Sequence, residues 1–224
     1  MLPKQEQARL ARRMERVRLE VKQKLYEPNE PIEHIYFPVS GVISMVTIMD
    51  DGTRSEIATV GNEGMIGLPV FLGADSIPVE SFAQVAGAAW QMDSNAFRSE
   101  LKNGGKLHDI LKLYTQALMN QLARTASCNR VHNIDQRCCR WLLMTRDRVG
   151  GETFPLTQEF LSQMLGVRRA SVTEVAQTLQ KEGLISYTRG VMTTTNHKRL
   201  ERRSCGCYRV VQHEYERLLD KHWK

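Results

Sequence analysis

The chain has 224 residues, 42% of them hydrophobic and 25% charged. That composition fits a globular protein long enough for a real core, and it argues against disorder. Net charge is +6, but residues 1–100 carry 10 Lys+Arg against 14 Asp+Glu while residues 101–224 carry 21 against 11. An acidic front half and a basic back half point to two units, the second suited to a polyanion. No apolar run approaches the roughly 18–20 residues that span a bilayer. The N-terminus MLPKQEQARLARRMERVRLE is charged and has no apolar h-region, so a cytosolic protein without a secretory signal is expected.

In chain order, Leu10, Met14, Val17 and Leu25 fall at loose helical spacing, which predicts a helix over the first 25 or so residues, closed by Pro28 and Pro31. From Ile32 to about Met92 the texture becomes β-like. HIYFPVSG, GVISMVTIM and TRSEIATV read as consecutive strands, with Asp51-Gly52 as a hairpin signal. Gly61, Gly64, Gly67 and Gly73 punctuate the next stretch, and SFAQV and AAWQM follow. Six or more short strands at this spacing predict an antiparallel roll or barrel. Asp93 or Ser94 then caps a short helix, NAFRSEL.

A long stretch without Gly or Pro runs from Lys106 to about Asn129. Leu107, Leu111, Tyr114, Leu118, Gln121 and Thr125 make an a/d-like stripe, with Ile110, Leu113, Ala117 and Leu122 beside it. A stripe this wide suits a helix that covers its own unit on one side and a twin helix on the other, and those six residues are the expected dimer contact; a merely buried helix explains the segment as well. A further helix is expected from Ile134 to about Arg148, ended by Gly150-Gly151, with Trp141 and also Trp90 as core residues.

The most informative segment is LTQEFLSQMLGVRRASVTEVAQTLQKEGLI, residues 156–185. Thr157 caps a helix from Gln158 to Leu165, Gly166 occupies the tight turn, and a second helix runs from about Arg169 to Glu182 over Val172, Val175, Ala176 and Leu179. Gly183 stops it, and ISYTRGVMTTT reads as a two-stranded wing with Arg189-Gly190 at the tip. This is a winged helix–turn–helix. The outward residues Arg168, Arg169, Ser171, Thr173 and Glu174 occupy the end of the second helix that meets base edges and phosphates in the major groove. Lys198 and Arg199, beyond the wing, are expected phosphate contacts.

A β-roll, a long helix and a winged helix–turn–helix in this order resemble the bacterial Crp/Fnr regulators. The resemblance covers Ile32 to Leu219, and IYFPVSGVIS, GNEGMIGLP and residues 156–185 carry it most specifically. Ser204-Cys205-Gly206-Cys207-Tyr208 also resembles the SCxCY segment of one subgroup. The resemblance implies a homodimer joined along the long helix, with two recognition helices reading adjacent half-sites. It implies base contacts from Arg169 and Glu174 and a phosphate contact from Ser171, with Arg168 and Thr173 as weaker carry-overs. Cyclic-nucleotide binders of the family use a Gly-Glu pair for the ribose and a later Arg-Ser/Thr for the phosphate. At those places this chain has Gly64-Met65 and Glu80-Ser81. Methionine cannot accept from the ribose, and a carboxylate repels a cyclic phosphate, so cyclic AMP is not the expected effector.

The five cysteines, an odd number, read as reduced, mostly packed thiols. Family members with an iron–sulfur cluster draw most of its thiolates from near the N-terminus, whereas the first cysteine here is Cys128. Cys205 and Cys207 supply half of a tetrahedral metal site, and His34, His132 and His213 are scattered, so neither metal nor cofactor is expected. Cys138-Cys139 beside Arg137 and Arg140 could be oxidisable. No Ser-His-Asp, nucleotide loop or paired-carboxylate arrangement marks an enzyme.

The expected fold is α+β. Residues 1–104 hold a helix and the sensor-like roll, 105–133 the dimerisation helix and hinge, and 134–224 the winged helix–turn–helix. The expected function is sequence-specific, cytoplasmic transcription regulation, with duplex DNA, a second copy, RNA polymerase and an unidentified small-molecule effector as partners and no membrane association. Two rival readings are a thiol-switched DNA-binding regulator and a winged-helix module that docks a protein instead of DNA.

Overall fold

The computed structural model describes residues 2–102 and 104–219. Helix α1 (Lys4–Ala11) leads into strands β1 (Glu15–Leu19), β2 (Lys24–Tyr26), β3 (His34–Ile48) and β4 (Arg54–Val60), then a one-turn helix α2 (Leu68–Phe71), strand β5 (Glu80–Asp93) and helix α3 (Ser94–Leu101). The five strands form one antiparallel sheet ordered β1-β5-β3-β4, with β2 also paired to β5. HIYFPVSG and GVISMVTIM are therefore one strand, β3, bent by register shifts between Pro38 and Ile43. Gly41 makes the bend feasible: its φ is +85°, and a Cβ there would lie 2.6 Å from the Val85 carbonyl oxygen.

The predicted N-terminal helix is shorter than the sequence suggested. Only Lys4–Ala11 is helical, and Glu15–Leu19 pairs with β5 from Glu15–Gln91 to Leu19–Gly87. Leu19 is buried while Arg16 and Arg18 are exposed, a period-two alternation that the loose spacing of Leu10, Met14, Val17 and Leu25 concealed. Helix α1 has a separate task. The buried Glu6 carboxylate accepts hydrogen bonds from the Lys106 and Leu107 amides at 3.2 and 2.9 Å, capping the long helix from a distance of 100 residues in sequence. Trp90, expected in the core, is 41% exposed on β5, although Ala89 and Met92 beside it are buried.

Helix α4 (Lys106–Val131) crosses from the roll to helix α5 (Ile134–Val149). Its predicted stripe turns toward the chain itself. Leu107, Leu111, Tyr114, Leu118 and Gln121 are all buried, Tyr114 Oη donates to the Met65 carbonyl at 2.9 Å, and Gln121 Nε2 donates to the Thr59 carbonyl at 3.1 Å. Thr125, half-buried, accepts from Arg140 at 2.9 Å. Five of these six residues are buried by the chain's own packing, and Thr125 is half-buried. The exposed side of α4 carries Leu113 and Met119 instead.

Strand β6 (Thr153–Pro155), helices α6 (Gln158–Leu165) and α7 (Arg169–Lys181), strands β7 (Ile185–Thr188) and β8 (Val191–Thr194), and helices α8 (His197–Arg203) and α9 (Cys207–Leu219) complete the chain. β6, β8 and β7 form a second, three-stranded sheet. Helix α9 lies along α4, its buried side formed by Cys207, Tyr208, Val211 and Tyr215. Among the described residues, no helix is long and apolar enough to cross a membrane.

Two buried carboxylates join the roll to α5. Glu63, fully buried, accepts from Arg148 Nε at 2.8 Å and from the Gly61 amide at 2.8 Å, while Arg148 also reaches Gln121 Oε1 at 3.3 Å. Glu56 accepts from Trp141 Nε1 at 2.7 Å and lies 2.7 Å from the Ser44 hydroxyl, which is also 2.8 Å from Gln84 Oε1. One hydroxyl proton cannot serve both oxygens. A protonated Glu56 donating to Ser44 frees that proton for Gln84 and satisfies the whole chain. Burial pushes the Glu56 carboxyl up to about 7, against the lowering effects of Ser44, Trp141, Arg148 and Arg140.

Because the folded value lies above the unfolded 4.5, this stabilising protonation is complete below about pH 4.5 and is lost as pH rises through about 7. Denaturant unfolding should therefore show stability falling by roughly 2–3 kcal/mol between about pH 5 and pH 8. Glu56→Gln, which keeps the Trp141 bond without the charge, should remove most of that slope.

Candidate nucleic-acid interface

The reading head is built by two local devices. Thr157 Oγ1 accepts from the Phe160 amide at 3.1 Å and starts α6, and Gly166 ends it with φ +61°, while the Val167 amide donates to the Ser162 carbonyl at 3.0 Å. The chain then passes through extended Arg168 into α7, whose stripe Val172, Val175, Ala176 and Leu179 is buried. Arg168 makes no side-chain cap. The first amides of α7 are left facing outward, and such a helix start suits phosphate oxygens.

Arg168, Arg169 and Glu174 are exposed and Ser171 and Thr173 half-buried, all at this end. Arg169 is 3.9 Å from Glu159 with its side chain 67% exposed, a weak tether that leaves the guanidinium available. Thr173 Oγ1 lies 2.8 Å from Gln158 Oε1, so its hydroxyl ties α7 to α6 more than it faces outward. Ala170, Gln177 and Lys181 share the exposed side of α7. They are missing from the sequence-derived set, although counting four residues on from Thr173 locates Gln177.

The wing turns at Arg189 and Gly190, with φ of 50° and 79°, the doubly left-handed geometry that suits a two-residue hairpin. Arg189 is exposed at its tip. Asn196 caps α8 by accepting from the Arg199 amide at 3.0 Å, which places exposed Lys198 and Arg199 in the first turn. Cations at the positive end of a helix dipole oppose that helix, so these two contribute little to the fold. Arg203, by contrast, is held by Asp135 at 2.6 Å and Glu182 at 3.1 Å.

The start of α7 also faces the roll. Gly52, Thr53 and Arg54 at the β3–β4 hairpin line one side of a groove of about 490 Å³, and Glu159, Ser162, Gly166, Arg168 and Arg169 line the other. Phe82 of β5 packs edge-on to Phe160 of α6 with ring centroids 6.0 Å apart.

The four predicted effector residues are brought to one region of the roll but not into a polar pocket. A Cβ at Gly64 would meet the Tyr114 ring at 2.5 Å. Met65 is buried, and Glu80 is buried in ion pairs with Arg54 and with Lys24, the latter at 3.3 Å. The neighbouring cavity, about 210 Å³, is lined by Tyr26, Met45, Ile57, Met65, Leu118 and Leu122 among other apolar groups, with Ser81 at its wall. Ser81 Oγ is buried and has no hydrogen-bond partner. Nothing cationic lines this cavity, and Arg54 is already neutralised by Glu80.

The cysteines divide into two kinds. Burial pushes Cys138 up to about 12 and raises Cys139 as well, in keeping with the packed thiols that the sequence suggests and against activation by the neighbouring arginines. Cys128, Cys205 and Cys207 instead meet His132 at the end of α4. The Cys205 thiol, with Arg140 and His132 nearby, holds Cys128 down to about 5 against its burial. Counting Cys205 and Cys207 alone missed this convergence; the C-x3-H spacing of Cys128 and His132 on a helix was the available signal.

An antiparallel roll, a long helix and a winged helix–turn–helix with an exposed basic start to its second helix define a winged-helix DNA-binding regulator. Residues 136–203 match the Crp-like helix-turn-helix domain and residues 16–103 match the cyclic nucleotide-binding domain. The chain belongs to the Crp/Fnr family of DNA-binding transcription regulators. Its fold is shared by CLP, the c-di-GMP responsive global regulator of Xanthomonas campestris, at TM-score 0.68 and 15% identity over 87% of this chain and 100% of that one. FixK2 of Bradyrhizobium japonicum aligns at TM-score 0.64 and 16% identity over 86% and 98%. A transcriptional regulator of the CRP/FNR family from Thermus thermophilus aligns at 0.66 and 17% over 85% and 98%. No curated protein matches the sequence.

With Glu80 ion-paired and an apolar lining to the neighbouring cavity, calorimetry with cyclic AMP should give no binding heat at micromolar ligand. A saturable heat signal would place the nucleotide elsewhere in the roll.

Proposed function

We propose that the protein regulates transcription in the cytosol as a homodimer that reads a two-fold symmetric duplex site, without enzymatic activity and with an effector other than a cyclic nucleotide. Residues 1–104 form the sensor unit, 105–133 the hinge helix and 134–224 the reading unit. The observation that carries this reading is the exposed, uncapped start of α7, presenting Arg168, Arg169 and Glu174 beside a wing tipped by Arg189. In this reading Arg169 and Glu174 contact bases, while Ser171, Arg189, Lys198 and Arg199 hold phosphates.

The groove between the β3–β4 hairpin and the helix–turn–helix gives the roll a route to the reading head. An effector that prefers one setting of that contact shifts DNA affinity by its difference in affinity for the two settings. RNA polymerase is the further partner that transcription regulation requires. The apolar lining of the roll cavity favours a small, largely apolar effector over a phosphate-bearing one. The thiol-switch alternative rests on Cys128 and Cys205, whose sulfurs are 3.5 Å apart, rather than on Cys138-Cys139.

The dimer contact falls to the outer face of α4. Met119→Glu should raise the monomer fraction in sedimentation while leaving the fold intact. Leu118→Glu should instead destabilise the chain by roughly 3 kcal/mol or more, since it places a charge under the roll.

The reading head has its own test, on the site recovered by genome-wide DNA capture. Arg169→Ala should cost roughly 1–3 kcal/mol per half-site on the specific site and relax preference at one base pair. Lys198→Ala should weaken specific and random duplexes alike and flatten the salt dependence by about one unit. Equal losses on both duplexes from Arg169→Ala would remove its base-reading role, and loss of any steep salt dependence in the parent would favour a protein-docking module.

A further inference from the structure

Four side chains of metal-ligand chemistry converge where the long helix ends. Cys128 lies one turn before the end of α4, His132 is that helix's C-terminal cap, and Cys205 and Cys207 come from the link between α8 and α9. Cys128 Sγ is 3.5 Å from Cys205 Sγ, Cys207 Sγ is 3.7 Å from His132 Nδ1, and all four ligand atoms lie within 4.8 Å of one another. We propose that this Cys3His cluster binds one tetrahedral divalent cation, zinc by its donor set.

The spacing decides the nuclearity. Zinc–sulfur bonds of about 2.3 Å in a tetrahedron separate two thiolates by about 3.8 Å, and a sulfur and an imidazole nitrogen by slightly less. The two separations above match those edges. An iron–sulfur cluster distributes its thiolates over several irons and needs them farther apart. Three sulfurs and one imidazole, with no carboxylate or carbonyl in the set, disfavour magnesium and calcium, which take oxygen ligands.

Charge and packing agree. Three thiolates, a neutral imidazole and a divalent cation sum to −1, and the Arg140 and Arg137 guanidiniums act electrostatically on Cys128 from α5. Arg140 is itself buried and its Nε has no hydrogen-bond partner. Cys128, Cys205 and Cys207 also form a small buried cluster separate from the main hydrophobic core, so filling that core does not account for them. A Cys128–Cys205 disulfide would use two of the four residues and leave Cys207 and His132 idle.

Four protein ligands close the coordination sphere, which makes the site structural rather than catalytic. Its ligands come from the hinge helix and from the start of α9, so the ion would pin the final helix, and through it the winged unit, to the end of α4.

The full chain, purified under reductant, should carry about one zinc per chain by elemental analysis. After chelation, cobalt added to the reduced protein should produce the intense visible bands of tetrahedral coordination together with thiolate-to-metal charge transfer. Cys128→Ser, and a Cys205→Ser/Cys207→Ser double variant, should weaken cobalt binding by more than the roughly 10–100-fold that losing an outer partner costs. Cys138→Ser, in the core away from the cluster, should bind as the parent does. The cobalt titration of the unmodified chain stands even if a variant fails to fold. The proposal is overturned if that folded, reduced chain takes up no stoichiometric zinc or cobalt, if the bound cobalt is octahedral, or if a folded double variant binds as tightly as the parent.

Discussion

The structure depends on a charge buried where three elements meet. Glu63 follows the fourth strand of the roll, Arg148 sits near the end of α5, and Gln121 lies on the long helix between them. A buried pair of this kind adds little net stability when complete, but leaving either charge alone costs on the order of 3–5 kcal/mol. The pair therefore acts mainly as a registration device: the roll, the long helix and the winged unit must meet in one arrangement for both charges to be satisfied. The Glu56–Trp141 contact and the Gln121 bond to the Thr59 carbonyl extend the same seam with further directional bonds.

This seam explains why the long helix faces as it does. Tyr114 and Gln121 need carbonyl partners once buried, and the roll supplies them at Met65 and Thr59. Their side of the helix is thereby fixed inward, and Leu113 and Met119 are left exposed. The same seam brings the hairpin of the roll to the start of the recognition helix, so the roll and the helix–turn–helix share a border.

The cavity of the roll is largely apolar, and the carboxylate beside it is already paired. Met65 is buried, and Arg54 and Lys24 neutralise the Glu80 carboxylate from within the sheet. Tyr26, Ser81 and Thr115 are the hydroxyl-bearing residues of the cavity's lining. At the other end of the long helix, sulfur and imidazole ligands from residues 75 or more apart in sequence come within bonding range of a common centre.

The sequence by itself determined the elements whose signals are local. The caps at Asp93 and Thr157, the turn at Gly166, the stripe of α7 and the Arg189-Gly190 wing tip are set by short-range hydrogen bonds and backbone freedom, and all of them were legible, as was the Crp/Fnr resemblance. Tertiary structure alone decided the matters of partner choice. Glu15–Leu19 became a strand because β5 offered an open edge, and the α4 stripe turned inward because the roll held the carbonyls that Tyr114 and Gln121 needed. Cys128 and His132 joined Cys205 and Cys207 only because α9 folds back along α4. Such contacts depend on distance in space, which a linear pattern of residues does not encode.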